Sequence, residues 1–162
     1  MTHDFYVIDE NVLIVANNRE GTARDACMLA CIEFLLQCRA GLGLVLDEGY
    51  VIMNKYGNHC RHSGAPGVGD QFFVWARDNA ATLHRVRLES DDDRGFAEFP
   101  DDRDLRAFDW DDRVYVAAAC ASEHECGIAN AADSDYRDDA VVLARYVSVH
   151  ELCPDDLRPS RA

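Results

Sequence analysis

Apolar residues in this chain fall into short runs, and most of those runs end at an acid. "FYVID", residues 5–9, is apolar until Asp9 and reads as a buried strand. "NVLIVAN" supplies one or two helical turns. Thr22 is placed to cap the amphipathic helix "ARDACMLACIEFLLQCRAG", which Gly41 stops. "LGLVLD" is a second short strand, ending at Asp47, and "EGYVIMNKYGNHC" a helix after it. "RHSGAPGVGD" is a loop on its Gly and Pro content. "QFFVWARDNAA" then reads as a helix and "HRVRLE" as a third strand.

Residues 89–110 have no clean period and read as a long acidic loop. Asp109 caps "WDDRVYVAAACAS", a helix of small residues able to pack closely. "GIANAAD" is a fourth strand ending at Asp133. "VVLARY" and "VSVHEL" close the chain as a helix fragment and a fifth strand. Strands alternating with helices predict an α/β fold: a three-layer α/β/α sandwich around a mostly parallel central sheet of about five strands. No linker or internal repeat interrupts it. A single domain over residues 1–162 is expected, with a core from about 5 to 153 and a short tail at 154–162.

Composition narrows the class. Hydrophobic residues make up 48% of the chain, which is enough for a packed core. No apolar run reaches the roughly 18 residues of a membrane helix. The start, "MTHDFYVIDEN", lacks a basic segment followed by an apolar one, so a cytoplasmic protein is expected. Of seven cysteines, Cys27, Cys31 and Cys38 fall at helical spacing and read as small core residues in a reducing compartment; the odd count argues against a closed disulfide framework. With 16 basic and 30 acidic residues, the formal net charge of −14 repels nucleic acid on average. Most of these acids form a solvated surface, and many lie in "ESDDDRGFAEFPDDRDLRAFDWDD".

The acids that end strands carry more meaning. In a parallel sheet Asp9, Asp47 and Asp133 lie on one edge, the edge where such sheets bind ligands. Asp112, in the first turn of the helix before the fourth strand, can face the same edge. Carboxylates gathered in this way raise one another's pKa, and a cation relieves the repulsion. Oxygen ligands without a His or Cys set favour Mg²⁺ or Mn²⁺ over Zn²⁺. Such a site suits phosphodiester hydrolysis. Each acid also has a plainer role: Asp47 as a helix cap, Asp112 as a partner of the helix dipole, Asp135 as a turn residue.

At this point the chain resembles the PIN-domain nucleases. "YVIDENVLI" looks like the family's opening strand, an aspartate followed two residues later by Asn, Ser or Thr; here these are Asp9 and Asn11. "DDRVYVAAACAS" is similar to the motif in which an aspartate opens a helix of small residues, placing that role on Asp112. "GIANAADSDY" resembles the closing acidic turn, placing roles on Asp133 and Asp135. The resemblance runs from about residue 5 to residue 153. It implies a metal-dependent endoribonuclease in which Asp9, Asp112 and Asp133 hold Mg²⁺ or Mn²⁺, Asp47 and Asp135 assist, and Asn11 orients Asp9 or a water. It also implies a bacterial-type toxin or defence setting.

One motif departs from the family. In "LVLDEGYVIMNKY" a glutamate is expected just before the helical tyrosine, and Lys55 stands there instead. Three readings follow. Asp47 or Glu48 serves as the second acid, Lys55 contacts a substrate phosphate, or the site no longer catalyses and Lys55 plugs the acids in a binding or scaffold module. Nucleic acid, RNA ahead of DNA, is the expected partner, with a regulatory protein or a second copy of the chain as further candidates and no membrane. Lys55, His59, Arg61 and His62 form a candidate basic lip for it. The groups His59/Cys60/His62 and Cys120/His124/Cys126 lack the paired spacing of structural zinc sites. "GAPGVGD" lacks the Gly-Lys-Ser/Thr ending of a phosphate loop. Trp75 and Trp110 read as packing residues, although Trp110 lies beside the acids.

Overall fold

The computed structural model describes residues 3–61 and 63–156. Five parallel strands form the central sheet: β1 (Phe5–Ile8), β2 (Gly43–Asp47), β3 (His84–Val86), β6 (Cys126–Asn130) and β7 (Ser148–Glu151), in the spatial order β3-β2-β1-β6-β7. A separate antiparallel pair is formed by β4 (Ser90–Asp91) and β5 (Gly95–Phe96). The helices are α1 (Glu10–Asn17), α2 (Asp25–Ala40), α3 (Val51–His59), α4 (Val68–Asn79), α5 (Arg113–Ala121), α6 (Ser134–Asp138) and α7 (Ala140–Leu143). This is the expected three-layer α/β/α arrangement. No described helix is long and apolar enough to cross a membrane.

The inner strands are apolar throughout because helices cover both faces. Val7, Ile8, Leu44, Val45 and Ile128 are fully buried. α1, α2 and α4 pack against one another over one face. There Gly69 lets α4 approach α1, since a Cβ at that position would run into the Leu13 carbonyl. α5 lies on β1, β2 and β6, and its small residues Ala117 and Ala118 are fully buried. β1 pairs with β2 on one side and β6 on the other. The chain moves outward from β1 to β3, then returns to lay β6 beside β1. The strand order therefore reverses at β1/β6, the position at which open α/β sheets form crevices.

Several expectations change. Thr22 does not cap α2: Arg24 occupies the cap position, without a side-chain bond. The fourth strand ends at Asn130, not Asp133, because Asp133 has already turned to cap α6. α4 begins at Val68, inside the Gly/Pro segment expected as loop. Buried Asp70 holds that turn by accepting from the Gly67 N–H at 2.9 Å and the Arg61 N–H at 2.7 Å, and by pairing with Arg19.

Residues 89–110 are ordered rather than loop alone. They contain β4, β5 and a 3₁₀ turn at Arg103–Leu105. Arg113, almost wholly buried, knits them together by donating to the carbonyls of Arg94, Leu105, Arg106 and Phe108 at 3.0–3.3 Å. A side chain that meets backbone acceptors this way leaves no periodic trace in the segment it organises. The cysteine reading is also corrected in part. Cys27 is joined to Cys153 by a disulfide, whereas Cys31 and Cys38 are free and buried. The parity of the cysteine count could not show this, since the bridge depends on α2 meeting the C-terminal segment in space.

Candidate metal centre

The carboxyl ends of β1 and β6 and the start of α5 bring three acids together. One carboxylate oxygen from each of Asp9, Asp112 and Asp133 lies within 4.8 Å of the other two, close enough to share a cation. Asp9 follows β1 directly and caps α1, accepting from the Asn11 N–H at 2.9 Å. Its second oxygen accepts from the Tyr136 hydroxyl at 2.7 Å. Asp133 caps α6 in the same manner, with its Oδ1 accepting from the Asp135 N–H at 2.9 Å. Both acids thus spend lone pairs on the backbone turn that orients them and keep others for the cleft.

Asp112 differs. It ends the 3₁₀ turn Trp110–Asp112 just before α5 and makes no side-chain cap bond. It is 5% exposed, and its Oδ2 is buried without a hydrogen-bond partner. An orphaned buried carboxylate oxygen is costly unless something unseen completes it. Burial and the neighbouring charges of Asp9 and Asp133 push its pKa up to about 9. Asp9 is raised to about 7, chiefly by burial. The donors Asn11 and Tyr136 pull it back, and the charges of Glu10 and Asp133 add to the rise. A hard divalent cation at this place would displace the protons these acids otherwise keep. The donor set, all carboxylate oxygen, fits Mg²⁺ or Mn²⁺.

The remaining sequence candidates divide. Asp135 stands in a second group with Asp109 and Asp112, again within 4.8 Å. Asn11 ties the site's walls together. Its Nδ2 donates to Asn130 Oδ1 at 2.8 Å, and its Oδ1 accepts from the Ala131 N–H at 2.8 Å. Asp47 lies on the same sheet edge but takes no part in the cluster. Its two oxygens accept from the Val51 and Ile52 N–H groups, each at 2.9 Å, so it holds the start of α3. Lys55 pairs with Glu10 at 4.0 Å, and the His59 imidazole is 3.8 Å from the same carboxylate. Arg61 sits at the other end of α1, roughly 12 Å along the helix axis, where its N–H meets Asp70 beside Asn17. The proposed lip therefore reduces to Lys55 and His59; His62 lies outside the described residues.

Three contributors escaped the sequence reading. Glu10 accepts from the Tyr115 hydroxyl at 2.9 Å. Tyr136 steadies Asp9. Asn130 joins the end of β6 to Glu151 and to the Asp133 backbone. Asp109, by contrast, takes the capping position expected of it, accepting from the Asp111 N–H at the head of the turn that carries Asp112. Of the three missed residues only Glu10, adjacent to Asp9, offered a signal in the sequence. Among the described residues, neither Cys/His group gathers as a ligand set; His124 instead stacks on Phe5 with ring centroids 4.1 Å apart. Compared with protein-family models, curated proteins and solved structures, the chain gives no match.

Proposed function

We propose that this chain is a metal-dependent nuclease of the PIN-like type that hydrolyses phosphodiester bonds, with RNA as its substrate. Asp9, Asp112 and Asp133 would hold Mg²⁺ or Mn²⁺. The observation that carries the reading is the buried, unpartnered Oδ2 of Asp112 in a cluster with two further carboxylates. A structural acid at that depth would be expected to have a donor of its own, as Asp70 and Asp47 do.

When bound, a hard divalent cation supplies Lewis-acid charge at the phosphate and lowers the pKa of an attacking water. The chain's residues do the rest. Asn11 and Asn130 fix the β1/β6 crevice. Tyr136 and the Asn11 N–H set the plane of the Asp9 carboxylate. Asp109 and Asp135 extend the acids outward from Asp112. Lys55, paired with Glu10 beside Asp9, and the neighbouring His59 imidazole would be the rim's N–H donors for a phosphate. The rival role for Lys55, plugging the cluster as an internal counter-ion, has less support, since its ion pair is with Glu10.

The test is incubation of pure protein with labelled single-stranded RNA and DNA in Mn²⁺, Mg²⁺ or chelator. Cleavage is expected with either ion and absent in chelator. Asp9→Asn and Asp112→Asn should each lower it by at least about 100-fold, on the scale of losing one charge-stabilising group. Cleavage that persists in both variants, or in chelator, overturns the assignment.

A further inference from the structure

A cavity of about 620 Å³, lined in part by Trp110 from the turn that carries Asp112, is not used by the metal reading. Its floor and walls come from the segment that Arg113 organises. Trp110 lines it and is 52% exposed, unusual for an indole inside an ordered turn. The ring is held from behind. The Arg113 guanidinium lies over it at 4.7 Å and over the Phe99 ring at 4.6 Å, with its N–H groups already given to backbone carbonyls. Gly95, at φ 86°, abuts the ring: a Cβ there would sit 3.4 Å from it. Trp110 is thus a rigid platform, fixed before any ligand arrives.

The cavity's charges decide what it accepts. Its lining holds four aspartates and three arginines. Asp91 is 3.8 Å from the Arg94 guanidinium. Asp102 is paired with Arg145 at 3.2 Å and accepts from the Tyr146 hydroxyl at 2.8 Å. Arg113 is spent inside. The remaining charges, Asp93, Asp101 and Arg106, are mixed in sign and do not favour a bare phosphate. The Arg113 guanidinium already occupies one face of the indole, which leaves the other for a flat group to stack on. A flat, neutral, polarisable group with N–H donors fits: a nucleobase.

We propose that this cavity is a base pocket for the strand cut at the acid cluster. An unpaired base stacks on Trp110 and turns its N–H edge toward Asp93 and Asp101. Trp110 and Asp112 belong to one 3₁₀ turn, two residues and about 4 Å apart along its axis. At three residues per turn the two side chains point about 120° apart, so the strand would bend around this turn for a base next to the phosphate at Asp112 to reach the indole. The substrate class that follows is single-stranded nucleic acid with a base carrying an exocyclic amino group, adenine, cytosine or guanine ahead of uracil, at one fixed position near the cut. The proposal rests on the nuclease reading, but base binding can be measured without catalysis.

The experiment uses the full chain with Trp75→Phe, which leaves Trp110 as the sole indole. Its fluorescence is titrated, in chelator, with a single-stranded uracil octamer carrying one adenine, with the same octamer abasic at that position, and with arginine amide. Saturable quenching by the adenine octamer is expected. It should weaken roughly ten-fold on removing the base, on the scale of one stacking contact. In Mn²⁺, Trp110→Ala should raise KM for cleavage by a similar factor, with kcat little changed. Trp110→Phe should stay within about three-fold, and Asp93→Asn should lose the preference for adenine over uracil while melting like the parent. If Trp110→Ala fails to fold, the Phe and Asp93 variants carry the test. Equal binding of the abasic octamer, or stronger quenching by arginine amide, overturns the pocket. Cleavage indifferent to every one of these variants overturns it and leaves the nuclease reading standing. Base binding with no cleavage under any metal overturns the nuclease reading and supports the pocket.

Discussion

At Asp112 stability and the proposed chemistry pull in opposite directions. Its carboxylate is buried against Asp9 and Asp133, and its Oδ2 has no donor. Both Asp112 and Asp9 have pKa values raised above the ordinary 3.8, to about 9 and about 7, with burial the largest cause in each. The folded state then holds protons that the unfolded chain releases. The stability tied to these protons is fully present below about pH 4 and is lost as pH rises through 7 toward 9. Asp70 acts in the other direction. Desolvation raises it, but the Arg61 and Gly67 N–H groups and Arg19 bring it below 3.8, and its contribution is lost only as pH falls below that range. Metal-free protein should therefore melt at lower temperature at pH 8 than at pH 5. Millimolar Mn²⁺ should restore the difference at pH 8 and do little at pH 5. Asp112→Asn should raise the metal-free melting temperature at pH 8, by about 1–3 kcal/mol of stability, and abolish the Mn²⁺ effect. Calorimetry with and without Mn²⁺ reads both. A flat pH profile with no metal response would show that the acids do not form a cation site.

At the scale of elements, the segment between β3 and α5 is the informative one. Its sequence is acidic and aperiodic, yet it is pinned by a basic residue outside it. Arg113 gathers carbonyls from both ends of the segment and stacks between Phe99 and Trp110. Arg113→Met keeps much of the volume and removes every donor. It should cost about 2–4 kcal/mol in denaturant unfolding, because several buried carbonyls lose their partners at once. Hydrogen exchange should quicken selectively over 89–112. If protection there matched the parent, the segment would be held by something other than this residue. Thr22 teaches a related lesson. A good capping residue was present, but the helix began at Asp25, with the Ala23 N–H given to Asn18 Oδ1. Propensity proposes a cap, and the neighbouring turn decides which residue takes it.

At the scale of the molecule, the Cys27–Cys153 bridge closes 126 residues of sequence and fastens α2 to the segment just past β7. β7 in turn supports the crevice, since Asn130 donates to Glu151 and accepts from the Asp133 N–H. Loop-closure entropy predicts that Cys27→Ser, or reduction, lowers stability by about 4–5 kcal/mol. Peptide mapping without reductant should recover Cys27 and Cys153 linked, with the other cysteines alkylated as free thiols. Finding Cys27 and Cys153 both alkylated under those conditions would remove the bridge from the account.

The sequence by itself determined the order of the five sheet strands and the main helices between them, the parallel sheet and the three acids that meet. Each rests on short-range pattern: an apolar run long enough to be a buried strand, helical spacing, and an aspartate where a strand stops or a helix starts. Asp9 and Asp133 were legible because a parallel sheet sends its strand ends, and the turns just after them, to one edge, and Asp112 because the helix before the fourth strand starts there. What the pattern lacked was strand order and side-chain direction. Asp47 ends a strand on that edge too, but β2 lies on the other side of β1 from β6, and its carboxylate folds back onto α3. Lys55 found Glu10, Arg113 found the carbonyls of a segment that looked like loop, and Cys27 found Cys153. Each of those contacts joins residues brought near only by packing, so tertiary structure alone could decide them.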